Sequence, residues 1–167
     1  GYIHAVEIGG VKGGLDTPSL QQLVEVAKRW KPDTIGVEKN YGNGMYAAVL
    51  MPMILKEHKC GLDEPWNTGQ KESRIIGVLE PLLGNGKLII DPRCIEEDWA
   101  SVQQYSMDVR AQYSWLYQLL RITKERGALL HDDRLEALAM SCLFWVQSMA
   151  QDGEVQQKRE QAKEWYK

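Results

Sequence analysis

Cysteine is scarce in this sequence, and long apolar runs are missing. The three cysteines form no C-x-x-C pair, which argues against a zinc site and against a disulfide framework. They are Cys60, Cys94 and Cys142. The apolar stretch 47–55 is interrupted by Pro52 and is too short to span a bilayer. Residues 1–10 lack the basic, apolar and small-residue order of a signal peptide. These absences predict a soluble protein of a reducing compartment, with no membrane partner.

An excess of positive charge is also missing. The 167 residues carry a formal net charge of −3, whereas a domain that binds nucleic acid is usually basic. This charge does not exclude DNA as a partner, because a hydrolase that holds DNA through metal ions needs carboxylates, and basic residues can cluster locally. The length suits a single domain with one core.

Short apolar stretches alternate with segments of helical periodicity. The predicted strands are residues 1–9, 34–38 and 87–90, and the predicted helices are 17–30, 45–57, 70–83, 94–104, 107–126 and 133–149. Residues 58–68 are predicted to be a polar loop. The alternation predicts an α/β fold over residues 1–150, followed by a charged C-terminal tail at 151–167.

Three motifs resemble known sites but lack required parts. Residues 42–47 fit the G-x-G-x-x-A outline of a dinucleotide-binding turn, yet residues 38–41 separate them from the strand, and 57–63 is not a convincing second strand. Residues 84–87 lack the first glycine and the hydroxyl of a phosphate loop. His58 and Cys60 have no second ligand pair for a metal. A Rossmann-type oxidoreductase therefore stays only as a minor alternative.

Two groups of carboxylates carry the stronger signal. Glu38 ends an apolar strand, where α/β proteins bind ligands, although it could also be a solvated residue paired with Lys39. Asp132 and Asp133 stand side by side at a predicted helix start. Asp133 with Glu136 is close to a capping box, but a second adjacent acid raises repulsion that a divalent metal would relieve. Together these acids fit two-metal hydrolysis of a phosphodiester.

Several sequence blocks resemble the large terminase subunits of T7-like phages. They occur in the same order over nearly the whole chain up to about residue 150. The blocks are residues 9–14, 37–45, 69–75, 79–83 and 121–139.

The resemblance implies a ribonuclease-H-like mixed sheet flanked by helices, in an endonuclease that cuts concatemeric double-stranded DNA with two Mg²⁺ or Mn²⁺ ions. It makes Glu38 the second metal ligand, Asp132 the primary closing ligand and Asp133 an auxiliary one, with His131 orienting water or phosphate. Four basic residues are expected to line a face that approaches DNA phosphate: Lys12, Lys39, Lys71 and Arg74. The implied partners are the phage portal, the small terminase subunit and possible further copies of the chain, in the host bacterial cytoplasm.

One departure from the family pattern concerns the start of the fold. The family carries its first acid on a first strand that pairs with a second, and the sequence begins at what resembles the third strand. We therefore expect the first two strands to be missing and the chain alone to be inactive or nearly so. The rival interpretation is a non-catalytic DNA-binding or assembly module, or a prophage remnant, that keeps some of the acids.

Overall fold

A computed structural model describes residues 1–65 and 67–165 and, within these ranges, the side chains of all but residues 41–42 and 151–165. The chain divides into two compact units. The larger unit consists of residues 1–9 and 70–167, and the smaller unit consists of residues 10–69. Both combine helices with short parallel strands, which confirms the predicted α/β class.

The larger unit contains two strands and four α-helices among its described residues. They are β1 (Ile3–Ala5), α3 (Lys71–Gly84), β4 (Leu88–Ile90), α4 (Arg93–Val102), α5 (Trp115–Arg121) and α6 (Asp133–Trp165). β1 and β4 pair in parallel, with Ile3 opposite Leu88 and Ala5 opposite Ile90. Side chains from the helices cover this pair, and the core includes Ile75, Leu79, Cys94, Trp115, Leu135 and Cys142.

The smaller unit is built from two helices and a second parallel strand pair. Its elements are α1 (Thr17–Trp30), β2 (Thr34–Gly36), a 3-10 turn (Tyr41–Gly44), α2 (Met45–Glu57) and β3 (Gly61–Asp63). β2 pairs with β3 from Thr34 opposite Gly61 to Gly36 opposite Asp63. Its core joins α1 and α2 through Leu20, Val24, Ala27, Leu50 and Ile54.

Helix α1 begins where local signals place it. Asp16 stands at the N-cap, and its carboxylate accepts a hydrogen bond from the Ser19 amide at 2.9 Å. Pro18 lies in the first turn, where a missing amide hydrogen removes no helix bond. The helix ends as Lys31 takes a left-handed conformation, with φ of 46°. The predicted helix 17–30 is confirmed, as is the predicted helix 45–57.

Three predicted segments differ from the structure. The first strand is confined to Ile3–Ala5, and the predicted loop at 58–68 contains β3. The predicted helix 107–126 is broken into a 3-10 turn, Arg110–Tyr113, and α5. The break follows from Ser114, which adopts an extended conformation and accepts a hydrogen bond from the Tyr117 amide as the N-cap of α5.

The final helix extends beyond the predicted end at residue 149. α6 runs from Asp133 to Trp165, so its backbone includes most of the predicted tail, whose side chains lie outside the described residues. Within the described ranges, no helix is both long and apolar enough to cross a membrane.

Candidate active site

The acidic turn, residues 131–133, leads directly into α6. The Asp132 carbonyl accepts a hydrogen bond from the Glu136 amide at 2.8 Å, so Asp132 stands at the N-cap position and Asp133 is the first helical residue. The Leu135 amide, one of the free donors of the first turn, is bound at 3.0 Å by the side-chain oxygen of Gln118. The expected capping box of Asp133 and Glu136 is therefore wrong. Asp133 is exposed, and a buried glutamine from α5 supplies the cap.

An ion cluster at the starts of α3 and α6 surrounds Asp132. The Lys71 ammonium lies 3.1 Å from Asp132 Oδ1 and 2.9 Å from Glu136 Oε2. The Arg74 guanidinium binds the other Glu136 oxygen. The Asp132 side chain is 18% exposed and that of Glu136 only 8%. Two cations thus neutralise two partly buried acids, and Glu136 has a different partner from the one that a capping box would require.

The ammonium of Lys71 is held in its charged form. Burial lowers the pKa of Lys71, but hydrogen bonds to Glu136 and then to Asp132 outweigh that effect, so the pKa lies above its ordinary value. Lys71 therefore brings a permanent positive charge to Asp132 at physiological pH.

Three consecutive residues at the start of α3 bind the segment that leads to the acidic turn. Gln70 Nε2 donates to the Lys124 carbonyl at 2.7 Å, and the Gly127 amide donates to Glu72 Oε1 at 2.6 Å. Lys71, between Gln70 and Glu72, reaches Asp132. Two of the blocks behind the family resemblance, 69–75 and 121–139, are thus in direct contact.

A buried ion pair holds the first turn of α6 from its other side. Arg134 Nη1 lies 2.7 Å from Asp98 Oδ1, with the two side chains only 5% and 2% exposed. Asp98 also accepts hydrogen bonds from the Ser114 hydroxyl at 2.5 Å and the Trp115 amide at 3.2 Å. Arg134 Nη1 donates further to Ser101 Oγ at 2.6 Å. The network links α4, α5 and α6 immediately after the two adjacent aspartates.

His131 is packed in an aromatic stack. Its ring lies 3.9 Å from that of Tyr113, and Tyr113 lies 3.7 Å from Tyr105 with the two planes 5° apart. Burial raises the pKa of Tyr105, so the phenol stays neutral. The stack limits the positions that the His131 imidazole can take.

Glu38 belongs to the smaller unit and follows β2. The strand pairing continues past β3, since the Val37 amide donates to the Asp63 carbonyl and the Lys39 amide donates to the Pro65 carbonyl. Glu38 is half-buried, and its carboxylate accepts a hydrogen bond from Asn67 Nδ2 at 2.9 Å. The structure thus places Glu38 at a strand end, as the sequence predicts, with an amide as its partner.

The four predicted DNA-contacting residues fall into two groups. Lys71 and Arg74 lie in the larger unit and are engaged by Asp132 and Glu136. Lys12 and Lys39 are exposed residues of the smaller unit. A shared DNA-binding face of these four residues stays a prediction.

The predicted metal ligands agree with a hard cation in their chemistry. Carboxylate oxygens are the donors that Mg²⁺ and Mn²⁺ prefer, and Asp132 and Asp133 are adjacent. Each unit holds few of these ligands: Glu38 lies in the smaller unit, and Asp132 and Asp133 lie in the larger unit. The residues that the structure describes contain no group of three or more His, Cys, Asp and Glu side chains placed to hold a metal.

The structure also explains two of the motifs that resemble other sites. His58 Nε2 lies 2.9 Å from the Pro32 carbonyl, which gives the ring a structural partner in place of a metal. The turn at 42–47 that resembles a dinucleotide-binding motif lies between β2 and β3, which pair in parallel. The sequence had not predicted β3 as a strand. However, Glu64 Oε1 lies 3.2 Å from where a Cβ on Gly44 would be. A carboxylate thus sits at the N-terminus of α2, where a pyrophosphate would bind.

Sequence reasoning missed the residues that support the acidic turn. Asp98, Gln118 and Glu72 are buried polar side chains whose partners come from distant segments. One signal was present: Arg134 lies on the otherwise apolar face of α6 beside Leu135 and Leu138, and a buried charge needs a partner.

Comparison with known proteins relates the chain to phage terminases. A family model described as the ribonuclease H-like domain of the bacteriophage T7 terminase matches residues 1–88. The terminase large subunit of Enterobacteria phage T3 is 38% identical over 152 residues, which is 91% of this chain. The chain spans 26% of the length of that relative.

Proposed function

Since this chain belongs to the ribonuclease H-like domain family of T7-type phage terminases, we propose that it is the nuclease part of a terminase large subunit. The proposed reaction is metal-dependent endonucleolytic cleavage of concatemeric double-stranded DNA during genome packaging. The observation that carries this proposal is the acidic turn: two adjacent aspartates at the start of α6, one of them exposed and the other held by a lysine.

In this proposal Glu38, Asp132 and Asp133 are the carboxylates that hold Mg²⁺ or Mn²⁺. When bound, a pair of such ions would activate the attacking water and stabilise the leaving oxygen. Asp132 is the proposed primary ligand and Asp133 the auxiliary one. Lys71 neutralises Asp132 in the structure, so the Asp132 carboxylate would have to exchange or share its Lys71 contact in order to hold a metal ion. The stacked His131 is proposed to orient water or phosphate.

The proposed setting follows from the relative, a terminase large subunit. The full-length protein would act in the host bacterial cytoplasm with the portal and the small terminase subunit, and it would pair or assemble with further copies of itself. The chain by itself is expected to cleave DNA weakly or not at all, because candidates for only two of the family's three acidic positions are found in it.

A second candidate is a non-catalytic DNA-binding or assembly module, including a prophage remnant of the same family. The neutral ion cluster favours this candidate, because Lys71 and Arg74 already compensate Asp132 and Glu136 without a metal. Metal-dependent cleavage separates the two candidates.

The test is nicking of supercoiled plasmid in Mn²⁺, by this chain and by a full-length large subunit that carries it. Asp132→Asn and Glu38→Ala should each reduce cleavage by the full-length protein by more than the roughly 10–100-fold that outer-shell substitutions cause. Asp108→Asn, at an exposed aspartate between α4 and α5, is the matched control and should leave the rate unchanged.

Two results would contradict the proposal. One is near-normal cleavage by the Asp132 and Glu38 variants. The other is absence of any metal-dependent cleavage by the full-length protein, which would favour the non-catalytic module. Comparable, Glu38-dependent cleavage by the short chain would instead contradict the expected weakness of the chain alone.

A further inference from the structure

The segment from the last residue of α5 to the acidic turn, residues 121–130, concentrates positive charge. We call it the basic loop. The segment contains three exposed basic residues, Arg121, Lys124 and Arg126, and a single acidic residue, Glu125. The segment therefore carries a net charge of +2 in a chain whose total is −3. Within the described part of the chain, neither Lys124 nor Arg126 lies within ion-pair distance of an acid. Arg126 is nevertheless near enough to Glu72 for its charge to help lower the pKa of that carboxyl.

The backbone of the basic loop is held in place although its charged side chains are exposed. Near its ends, Ile122 and Leu129 pack against the core of the larger unit. In the middle, Gln70 binds the Lys124 carbonyl and Glu72 binds the Gly127 amide. Gly127 has φ of 76°, a conformation that favours glycine, and it turns its amide toward Glu72.

The backbone of the basic loop is tied to the same end of α3 that contacts the acidic turn. Gln70 binds the backbone carbonyl of Lys124 in the basic loop, and the next residue, Lys71, contacts Asp132. Two adjacent residues at the start of α3 therefore connect the backbone of the loop to the acidic turn. By contrast, Lys71 and Arg74 are compensated by Asp132 and Glu136. Of these four basic residues, Lys124 and Arg126 of the basic loop are therefore the two without an ion pair among the described residues.

We propose that the basic loop is a binding element for the sugar–phosphate backbone of duplex DNA, through Lys124 and Arg126. Basic side chains and backbone amides on phosphates position a protein on a duplex without reading sequence. Because the loop backbone is already ordered, binding would lose little conformational entropy there. This inference rests on the proposed function, which supplies DNA as the substrate, and it moves the expected phosphate contacts from Lys71 and Arg74 to Lys124 and Arg126.

The experiment measures binding of this chain to a short fluorescent DNA duplex by anisotropy, over a range of salt concentrations and in EDTA so that no metal takes part. The test variant is Lys124→Gln/Arg126→Gln. The matched control is Lys56→Gln/Lys59→Gln, which removes the same charge from two exposed lysines of the smaller unit.

The test variant should bind roughly tenfold more weakly or worse at low salt, and the slope of log affinity against log salt should fall by about 1.8, or about 0.9 for each lost phosphate contact. The control pair should show a much smaller change in both quantities. Equal effects of the two double variants, or no binding of duplex by the unsubstituted chain, would overturn the inference.

A second variant separates loop geometry from charge. Gly127→Ala strains the turn at φ of 76° without changing charge, and Gly86→Ala, at φ of 60° after α3, is its control. Gly127→Ala should weaken binding while Gly86→Ala does not. Equal affinity of the two variants would show that the ordered backbone has no part in DNA binding. These measurements contain no metal, so they fail or succeed independently of the cleavage test.

Discussion

Arg134 and Asp98 form an ion pair in the interior of the larger unit, with side chains 5% and 2% exposed. Burying two charges costs several kcal/mol each in desolvation, so such a pair adds little net stability. Its effect is geometric. It fixes the first turn of α6 against α4 at the residue next to Asp133, and therefore sets the direction in which the acidic turn points.

Removing one member of this pair should be strongly destabilising. Arg134→Met leaves Asp98 charged and buried, which should lower the free energy of unfolding by about 3–5 kcal/mol. Asp98→Asn/Arg134→Met removes both charges and keeps an oxygen acceptor for the Trp115 amide, while the Asn amide can donate to the Ser114 hydroxyl oxygen, so it should recover much of the loss. Urea unfolding measures both. A double variant no more stable than Arg134→Met would show that the lost charge is not the cause.

The contact between Glu72 and the basic loop predicts a pH dependence. The hydrogen bond from the Gly127 amide holds the pKa of Glu72 below its ordinary value of 4.5. A lowered pKa in the folded state means that the contact contributes its full stability above pH 4.5 and loses it as the pH falls through the lowered pKa.

The NMR shift of the Gly127 amide proton should therefore titrate with a midpoint below 4.5. Glu72→Gln should abolish this titration, whereas Glu80→Gln, at an exposed glutamate of the same helix, should leave it intact. A midpoint at or above 4.5 would mean that the carboxylate is not stabilised by the loop.

At the scale of single elements, the start of α6 depends on a side chain from another helix. The Gln118 side chain is 1% exposed. Its oxygen accepts a hydrogen bond from the Leu135 amide, and its nitrogen donates one to the Gln112 carbonyl at 3.0 Å. Its amide thus satisfies a buried donor of α6 and a carbonyl of the preceding 3-10 turn. Asp132 stays available for Lys71 because the cap comes from elsewhere.

Gln118→Ala should therefore destabilise the protein by about 1–3 kcal/mol, the cost of leaving a buried polar group without a partner. Asp133→Asn should change stability by less than about 0.5 kcal/mol, because Asp133 is exposed. Thermal unfolding of the two variants compares these values. A larger loss for Asp133→Asn would restore the capping role that the sequence predicts for it. The lower activity expected for Asp132→Asn than for Asp133→Asn remains a prediction.

At the scale of the whole molecule, charge is distributed unevenly. The net charge of −3 hides a neutral cluster of four charged side chains around Asp132 and a basic loop beside it. An average over the chain therefore says little about whether it binds DNA. The local potential is what a phosphate backbone meets, since interactions beyond about 10 Å are screened at moderate ionic strength.

Each of the two units has a core and a parallel strand pair of its own. Among the described residues, β1 pairs with β4 and β2 pairs with β3, so β1 and β2 belong to different strand pairs. Parallel pairs of three residues are too small to be stable alone, and helices of each unit supply the apolar contacts that hold them.

The amino-acid sequence alone determined the α/β class, most helix positions and the family. The boundaries of α1 could be predicted because its signals are local: a capping aspartate, a proline in the first turn and apolar residues at helical spacing. α2 has no capping side chain, and its start could be predicted from the glycine turn that precedes it. The two adjacent aspartates and the strand-end Glu38 could be identified for the same reason, since their neighbours in sequence carry the pattern.

Only the tertiary structure decided how the candidate site is supported. β3 has three residues and no periodicity, and it is a strand because β2 lies beside it. Lys71 reaches Asp132 across 61 positions in the chain, and Gln118 reaches Leu135 across 17. The residues around a buried polar group in the sequence do not indicate which distant residue will be its hydrogen-bond partner. They indicate only that the group needs one. Folding brings that partner from a distant segment.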